Sequence, residues 1–356
     1  MADISPVTEL DFFETKTALK TFLRNQDRFA DYDFEGSNMN VLLDLLAYNT
    51  FYNNYYYNMA ISEMFLDSAQ ERNSIISHAK ELNYLPRSRR SSVAVVTITI
   101  TATQDSNFFI IPANSKFNGK CGNTTFTFLT SEAITATRIP DTNRFVATGA
   151  NVYQGRMISE TITVEDTTLS NAWIDTRSIT LTVNGDEYIQ KSDIFGINST
   201  DKVFYLQPEE DSKYSIQFGQ NKFGVQPTAA DSIIATYRIS NGDDANGVKS
   251  LSSAGLTGAT SVDLVVTSPS NGGFDSETVE SIRTFAPKAL QVQERAVTTR
   301  DYEVLLRNRF PNIEAISVYG GDEVDPPQFG KVVISVDVSG GEGAADFEIA
   351  AFTDYL

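Results

Sequence analysis

The hydrophobic pattern of the chain changes its period at Pro86. Before Pro86, apolar side chains recur at spacings of three and four residues, as on one face of an α-helix. After it, from Val93 to Thr103, apolar and β-branched residues follow a period of two, which is typical of a strand. Proline cannot donate the next helical hydrogen bond, so we expect the helical region to end near Leu85. The chain is therefore expected to divide here into a helical part and a β-rich part.

The helical part is predicted to begin with a short amphipathic helix. Its apolar residues follow a roughly seven-residue repeat between polar ones, and they are Phe12, Leu19, Phe22 and Phe29. After a loop, Ser37 is a plausible N-cap for a second helix. Helical spacing then continues over Ile61 to Leu85, up to the stop at Pro86.

The second helix carries an apolar seam with alternating spacings of four and three residues, as in a coiled coil. The seam consists of Val41, Leu45, Tyr48, Tyr52, Tyr55 and Met59. A second apolar row flanks it, formed by Leu42, Leu46, Tyr56 and Ala60. A helix with apolar residues over so much of its circumference is expected to pack against several other helices.

The middle of the chain is predicted to be mainly β. Short runs of β-branched and aromatic residues recur at Thr124 to Thr130, Ser178 to Val183, Lys202 to Gln207, Tyr214 to Phe218, Ser232 to Ser240 and Val262 to Thr267. The pair Asn184-Gly185 indicates a type I′ hairpin turn and hence antiparallel pairing. Runs rich in glycine, serine and asparagine at 241–259 and 268–273 are predicted to be loops, and the second marks a boundary.

The C-terminal part is predicted to be a small α+β unit with helices on one face of a sheet. Helices are expected at Glu277 to Phe285 and at Arg300 to Phe310, where Thr298 and Asp301 resemble a capping box. Two strands, Glu314 to Tyr319 and Val332 to Val338, lie between the second helix and a stretch of helical composition from Ala345. That stretch reaches Leu356, which leaves open a longer native chain.

The predicted fold class is therefore α+β with several domains. The domain limits are placed at 1–90 for the helical region, 91–270 for the β-rich region with an internal boundary near 190, and 271–356 for the C-terminal region. At 356 residues, the chain is long enough for two to four domains at about 150 residues each.

Composition removes several classes of function. The net charge of -18 repels nucleic acid and anionic lipid, so neither DNA, RNA nor a membrane surface is expected as a ligand. The chain begins without a signal-peptide pattern and contains no apolar run long enough to span a membrane. One cysteine and one histidine exclude disulfide scaffolds, Cys/His zinc sites and Ser-His-Asp triads. We expect neither a catalytic site nor a cofactor or metal.

Two separated stretches resemble a known family. Residues 31–37 (DYDFEGS) and 40–50 (NVLLDLLAYNT) resemble the helical region of the baseplate wedge proteins of T-even-type contractile-tailed phages. Residues 271–278 (NGGFDSET), Ala286-Pro287 and residues 295–303 (RAVTTRDYE) resemble the signature of the wider baseplate J-like family. A weaker likeness is the turn from Phe218 to Pro227, where Gln220 and Lys222 depart from the commoner residues.

The resemblance implies a structural subunit of a phage tail baseplate wedge, made in the host cytoplasm and located in the virion. Its expected partners are other wedge proteins and a second copy of itself, as a homodimer within a six-fold baseplate. It would link neighbouring wedges into the ring around the hub through helix bundle and dimer contacts. The seam residues are the candidate protein interface.

Two other functions are also consistent with the sequence. The β-rich middle and the 11% aromatic content also suit a receptor- or carbohydrate-binding tail protein. A glycosidase that uses two carboxylates is a third possibility, because phage tails sometimes carry one. The basic residues Arg87, Arg89 and Arg90 suggest an acidic partner or a solvated linker. His78 is expected to be structural or exposed, and the acidic group around Asp322 to be a solvated loop, since it lacks the pattern of a calcium-binding loop.

Overall fold

The computed structural model of the protein describes residues 11–26, 32–103, 105–253, 255–292, 295–310 and 313–338. The chain divides into two compact units, Met1–His78 and Ala79–Leu356. The predicted fold class is confirmed, because helices precede a β-rich middle and a small C-terminal α+β part follows.

The first unit contains α1 (Phe12–Arg24), α2 (Asn38–Glu63) and most of α3 (Arg72–Glu81). Asp11 caps α1 by accepting hydrogen bonds from two backbone N–H groups. The predicted N-cap of α2 is confirmed, since the Ser37 hydroxyl accepts from the N–H of Asn40 at 3.0 Å. Phe29, the last member of the predicted first repeat, lies outside the described residues.

The prediction of continuous helical structure from Ile61 to Leu85 is wrong. The chain leaves the helix after Glu63 and starts a new one at Arg72. The Glu63 carboxylate accepts from the N–H groups of Gln70 and Glu71, at 2.8 and 3.3 Å, at the start of the new helix. These N–H groups have no partner within a helix, so a carboxylate that pairs with them stabilises a separate helix start.

The second unit contains all the strands, and their bounds follow. They are β1 (Val93–Thr101), β2 (Phe108–Ile111), β3 (Lys116–Cys121), β4 (Thr124–Thr130), β5 (Ile134–Arg138), β6 (Arg144–Gln154), β7 (Arg156–Ile162), β8 (Ile174–Val183), β9 (Asp186–Gln190), β10 (Val203–Pro208), β11 (Tyr214–Phe218), β12 (Ile233–Ile239), β13 (Leu251–Ser253), β14 (Ser261–Asn271), β15 (Ile313–Gly320) and β16 (Val332–Val338). Each of the predicted strand segments falls on one of these strands.

The first sheet has eight strands and curls around one core. Its main order is β13-β3-β4-β6-β1-β14, and β2 and β5 join it through β6. Alternate residues of β1 are fully buried, as the period of two predicts. Backbone hydrogen bonds from Gly247 and Ser270 connect the segment before β13 with β14, so the two ends of the sheet meet. Large core side chains are Phe117, Phe128, Phe145, Ile98 and Ile100.

The second sheet has the order β11-β10-β9-β8-β12-β7 and its own core. The hairpin predicted at Asn184-Gly185 is confirmed, because both residues have positive φ and Val183 pairs with Asp186. The segment that follows β7 returns to β11, where Leu169 N–H donates to the Tyr214 carbonyl at 2.8 Å. This sheet is therefore also closed by its own chain.

The second sheet is an insertion in the first. The chain leaves β6 at Gln154 and returns at Ser240, and the Gln154 side chain joins both crossings through hydrogen bonds with Ser240 and Asn241. Gly155 has a φ of +136°, and a Cβ there would lie 2.4 Å from the Ile239 carbonyl oxygen. Residue 190, the proposed internal boundary, is the last residue of β9 and pairs with Phe204 of β10 inside the inserted sheet.

The C-terminal part contains α4 (Val279–Val292), α5 (Thr299–Arg309) and the hairpin of β15 and β16. The predicted capping box is confirmed, with the Thr298 and Asp301 side chains each accepting from the other residue's backbone N–H. Leu306 of α5 is fully buried beside Ile313 of β15. The helical composition predicted from Ala345 lies outside the described residues.

The prediction of a loop at residues 268–273 is wrong for its first part, because β14 continues to Asn271. Ser270 is buried, and its hydroxyl donates to the Ala245 carbonyl at 2.6 Å and accepts from the N–H of Val248 at 2.8 Å. These bonds satisfy the polar groups of the serine inside the sheet. The serine and asparagine residues of this segment therefore form hydrogen bonds inside the sheet as well as turns.

Candidate assembly surface

The seam of α2 lies on the outside of the described protein. Its six residues have exposed fractions between 40% for Tyr52 and 63% for Leu45. The flanking row is exposed as well, with Leu42 and Leu46 at 52% and Tyr56 at 60%. The structure therefore brings the predicted interface residues together on one open helical surface. The remaining members of the seam are Val41, Tyr48, Tyr55 and Met59.

The buried side of α2 is narrow and largely polar. Its buried residues recur at helical spacing and are Asn40, Leu43, Ala47, Asn58 and Ser62. The helix α1 contacts α2, and Lys16 Nζ lies 2.5 Å from Asp44 Oδ1. A helix of a soluble monomer normally turns its apolar face inward and its polar face to water. In α2 most of the large apolar side chains are exposed instead, and Leu43 is the one among the buried residues.

The exposed surface has a defined aromatic arrangement. The rings of Tyr48 and Tyr52 have centroids 4.6 Å apart at an interplanar angle of 63°, and the Tyr48 hydroxyl donates to the Tyr52 hydroxyl at 2.9 Å. Its interaction with the Tyr48 hydroxyl raises the pKa of Tyr52 above its ordinary value. A further ring contact joins Tyr55 and Tyr56, with centroids 5.9 Å apart. The ring contacts hold adjacent parts of the surface in one shape before any partner binds.

The width of the surface indicates more than one neighbour. At 100° per residue, the exposed apolar positions of α2 span about 200° of its circumference. Soluble monomers rarely leave so large a continuous apolar patch in water, and such patches mark protein interfaces. Leu45, Leu46, Tyr48, Asn49 and Tyr52 also line a shallow open depression on this surface.

The basic group after α3 makes contacts within the fold. Arg87 donates to the Arg307 carbonyl at 2.8 Å, and Arg89 pairs with Asp275 at 2.9 Å while its guanidinium lies 4.4 Å from the ring centroid of Trp173. Arg90 forms a backbone bridge with Phe274. The expectation of a solvated linker is therefore wrong, because these arginines join the start of β1 to segments far along the chain.

The other singled-out groups have structural positions. His78 Nε2 lies 2.9 Å from the Glu63 carbonyl oxygen at the end of α2. Asp322 and Glu323 lie in a short 3₁₀ turn between β15 and β16. Within the described ranges, no cluster of histidine, cysteine and acidic residues is arranged to hold a metal ion. Among the helices that the structure describes, none combines the length and apolarity needed to span a membrane.

Comparisons with known proteins agree at both ends of the chain. Residues 11–84 match the family described as baseplate wedge protein gp6-like, helical domain. Residues 298–354 match baseplate structural protein gp6, C-terminal domain I. The first match contains the whole of α2 and its exposed surface.

A curated relative spans most of the chain. The baseplate wedge protein gp6 of Enterobacteria phage T4 is 30% identical over 333 residues, which covers 85% of this chain and 50% of that protein. The chain thus spans about half the length of the relative. A chain of the anti-feeding prophage baseplate, solved by electron cryo-microscopy, aligns with 99% of this chain and 69% of its own at 13% identity and a TM-score of 0.36. The two domain matches and the phage T4 relative show that this chain is similar to the gp6-like baseplate wedge proteins of T4-type phages.

Proposed function

We propose that the chain is a structural subunit of a phage tail baseplate wedge, located in the virion, and that the exposed surface of α2 joins it to other wedge proteins. The observation that carries the proposal is the reversed polarity of α2, which leaves its seam in water while asparagine and serine are buried. Burial of large aromatic side chains supplies much of the energy of protein interfaces. The family relationship supplies the kind of assembly.

The finer features of the proposal follow the family resemblance. The subunit would link neighbouring wedges into the ring around the hub and form a homodimer within the six-fold baseplate. The signature at 271–303 would relate it to the wider baseplate J-like family. The ranges 1–90, 91–270 and 271–356 remain the proposed domain limits. We propose no catalytic function, in keeping with a family of structural proteins.

The test is the substitution Tyr52→Glu in the full chain. A carboxylate at the centre of the seam would have to be buried without a partner on assembly, which costs several kcal/mol. We expect the variant to keep the circular dichroism spectrum of the parent, because Tyr52 is 40% exposed in the free chain. We expect it to lose co-purification with the other wedge proteins of the same phage when they are expressed together.

The matched control is Thr50→Glu, which adds the same charge at an exposed position on the same helix. It lies two residues away and about 200° around the helix from Tyr52, outside the seam. We expect this variant to assemble normally. Normal assembly of a folded Tyr52→Glu variant would show that the seam is not an interface, and loss of the helical signal would show that the seam supports the fold of the chain itself.

A further inference from the structure

The hairpin of β15 and β16 is the one sheet in the described part of the protein whose ends are not joined. Both larger sheets are closed by their own chain, whereas this one has two strands only. Its core is also small, with Leu306 and Ile313 buried and Ile334 and Val336 of β16 only partly buried. A two-stranded sheet with a half-covered apolar row gains stability from a further strand.

The pairing of the hairpin determines which backbone groups point outward. Gly321 N–H donates to the Lys331 carbonyl at 2.8 Å, so Lys331 is oriented toward β15. Since the orientation alternates along an antiparallel strand, Val333, Ser335 and Asp337 also point their N–H and C=O groups toward β15. Val332, Ile334 and Val336 therefore point theirs away from β15. In the described residues no strand pairs with this outer edge.

We propose that the outer edge of β16 pairs antiparallel with β16 of a second copy of this chain, about a two-fold axis at Ile334. The proposal rests on the self-association in the proposed function and names the surface that performs it. In this register Ile334 faces Ile334 of the second copy, and Val332 faces Val336. The three outward-pointing residues then form the pairs that exchange backbone hydrogen bonds across the axis.

Charge and polarity favour this register. This register places Lys331 opposite Asp337 of the second copy, and the two-fold axis produces a second such pair. Opposite charges therefore face each other at both ends of the paired segment. In the described structure Lys331 Nζ has no carboxylate partner, and it donates to Gln328 Oε1 at 3.2 Å. Centring the axis on Ser335 instead would set Asp337 opposite Val333. The apolar row of Ile334 and Val336 would also continue into the second copy and become covered.

The test uses charge exchange in the full chain, with self-association measured by sedimentation over a concentration series. The single variants Asp337→Lys and Lys331→Asp each place like charges opposite one another across the axis, and we expect each to weaken dimerisation at least several-fold. The double variant Lys331→Asp with Asp337→Lys restores opposite charges, and we expect it to dimerise like the parent. Weakening in the singles without recovery in the double would overturn the proposed register.

A cysteine scan in a Cys121→Ser background fixes the geometry. Two Ile334→Cys residues would face each other across the axis, at the Cα separation of about 5.5 Å that a disulfide accepts. We expect oxidation to give a cross-linked dimer with Ile334→Cys and far less with Ser335→Cys. A stronger cross-link from Ser335→Cys would overturn the register, and none from either would overturn the pairing.

Two outcomes separate this inference from the proposed function. Residues beyond β16, or a different partner, could instead cover the edge. A parent chain that stays monomeric while the amides of Val332, Ile334 and Val336 resist hydrogen exchange would show that the chain covers its own edge, which overturns the inference. Loss of dimerisation in the charge variants with retained co-purification of wedge proteins would support it and leave the role of α2 intact.

Discussion

Glu277 is the buried carboxylate whose removal should destabilise the second unit most clearly. Its side chain has no exposed surface. It accepts from the Tyr84 hydroxyl at 3.0 Å, from the Arg87 backbone N–H at 3.0 Å and from the Ser281 hydroxyl at 2.5 Å. The Arg87 guanidinium lies 3.7 Å away. One side chain thus joins the segment before β1 to the start of α4.

The cost of Glu277→Ala follows from the groups that lose their acceptor. Tyr84 is 4% exposed, so its hydroxyl cannot bond to water instead, and a buried unsatisfied donor costs about 1–3 kcal/mol. The Ser281 hydroxyl and the Arg87 N–H lose the same acceptor. Arg87 contributes less, because its side chain is partly exposed and keeps its bond to the Arg307 carbonyl. We expect a loss of about 4 kcal/mol in the free energy of unfolding.

The assay is urea denaturation followed by the fluorescence of Trp173, the only tryptophan of the chain. Tyr84→Phe removes one of the donors, and we expect it to cost about 1 kcal/mol alone. In the double variant with Glu277→Ala no tyrosine hydroxyl is left unpaired, so the cost should fall short of the sum by 1 kcal/mol or more. Costs that add within about 0.5 kcal/mol would refute the reasoning.

Three further predictions concern single positions. Thr298→Ala should cost about 1 kcal/mol by removing the cap of α5, and thermal melting of this variant and the parent checks the value. Hydrogen bonds from the Thr298 backbone lower the pKa of Asp301. The stability that the ionised Asp301 side chain adds is therefore present above about pH 4 and is lost as the pH falls through the lowered pKa. A melting temperature of the parent that does not change with pH in this range would contradict this. Gly155→Ala combines a forbidden φ with a contact at the Ile239 carbonyl and should cost about 3 kcal/mol. The control Gly122→Ala, at φ +58° with open space around it, should cost about 1 kcal/mol. Equal costs for the two variants would show that the contact with the Ile239 carbonyl adds nothing to the cost of Gly155→Ala.

Local signals in the sequence were sufficient for several elements. The caps at Ser37 and Thr298 and the turn at Asn184-Gly185 depend on neighbouring residues only, so their patterns predict the structure correctly. The seam of α2 also depends on local spacing, and its residues do share one helical face. The polar face opposite, with Asn40 and Asn58, had the same helical spacing and could have been recognised as the buried side.

Long-range features could not be predicted in this way. The insertion of one sheet into another depends on Gly155 meeting Ile239, which are far apart in the sequence. The arginines after Leu85 looked solvated because their partners, such as Asp275 for Arg89, lie almost two hundred positions later. The helix break after Glu63 is a local feature. The sequence alone does not show that the Glu63 carboxylate accepts from N–H groups at the start of a new helix and does not face water.

The crossing at Gly155 and Ser240 has a consequence for the two cores. The inserted sheet begins and ends at adjoining points of the host sheet, and it has its own core. Residues 156–239 take no part in the pairing of β6 with β1 or of β1 with β14, although Trp173 within them contacts Arg89 of the host part. Because the two sheets have separate cores and the chain crossings lie side by side, changes inside the core of the inserted sheet need not disturb the core of the host sheet.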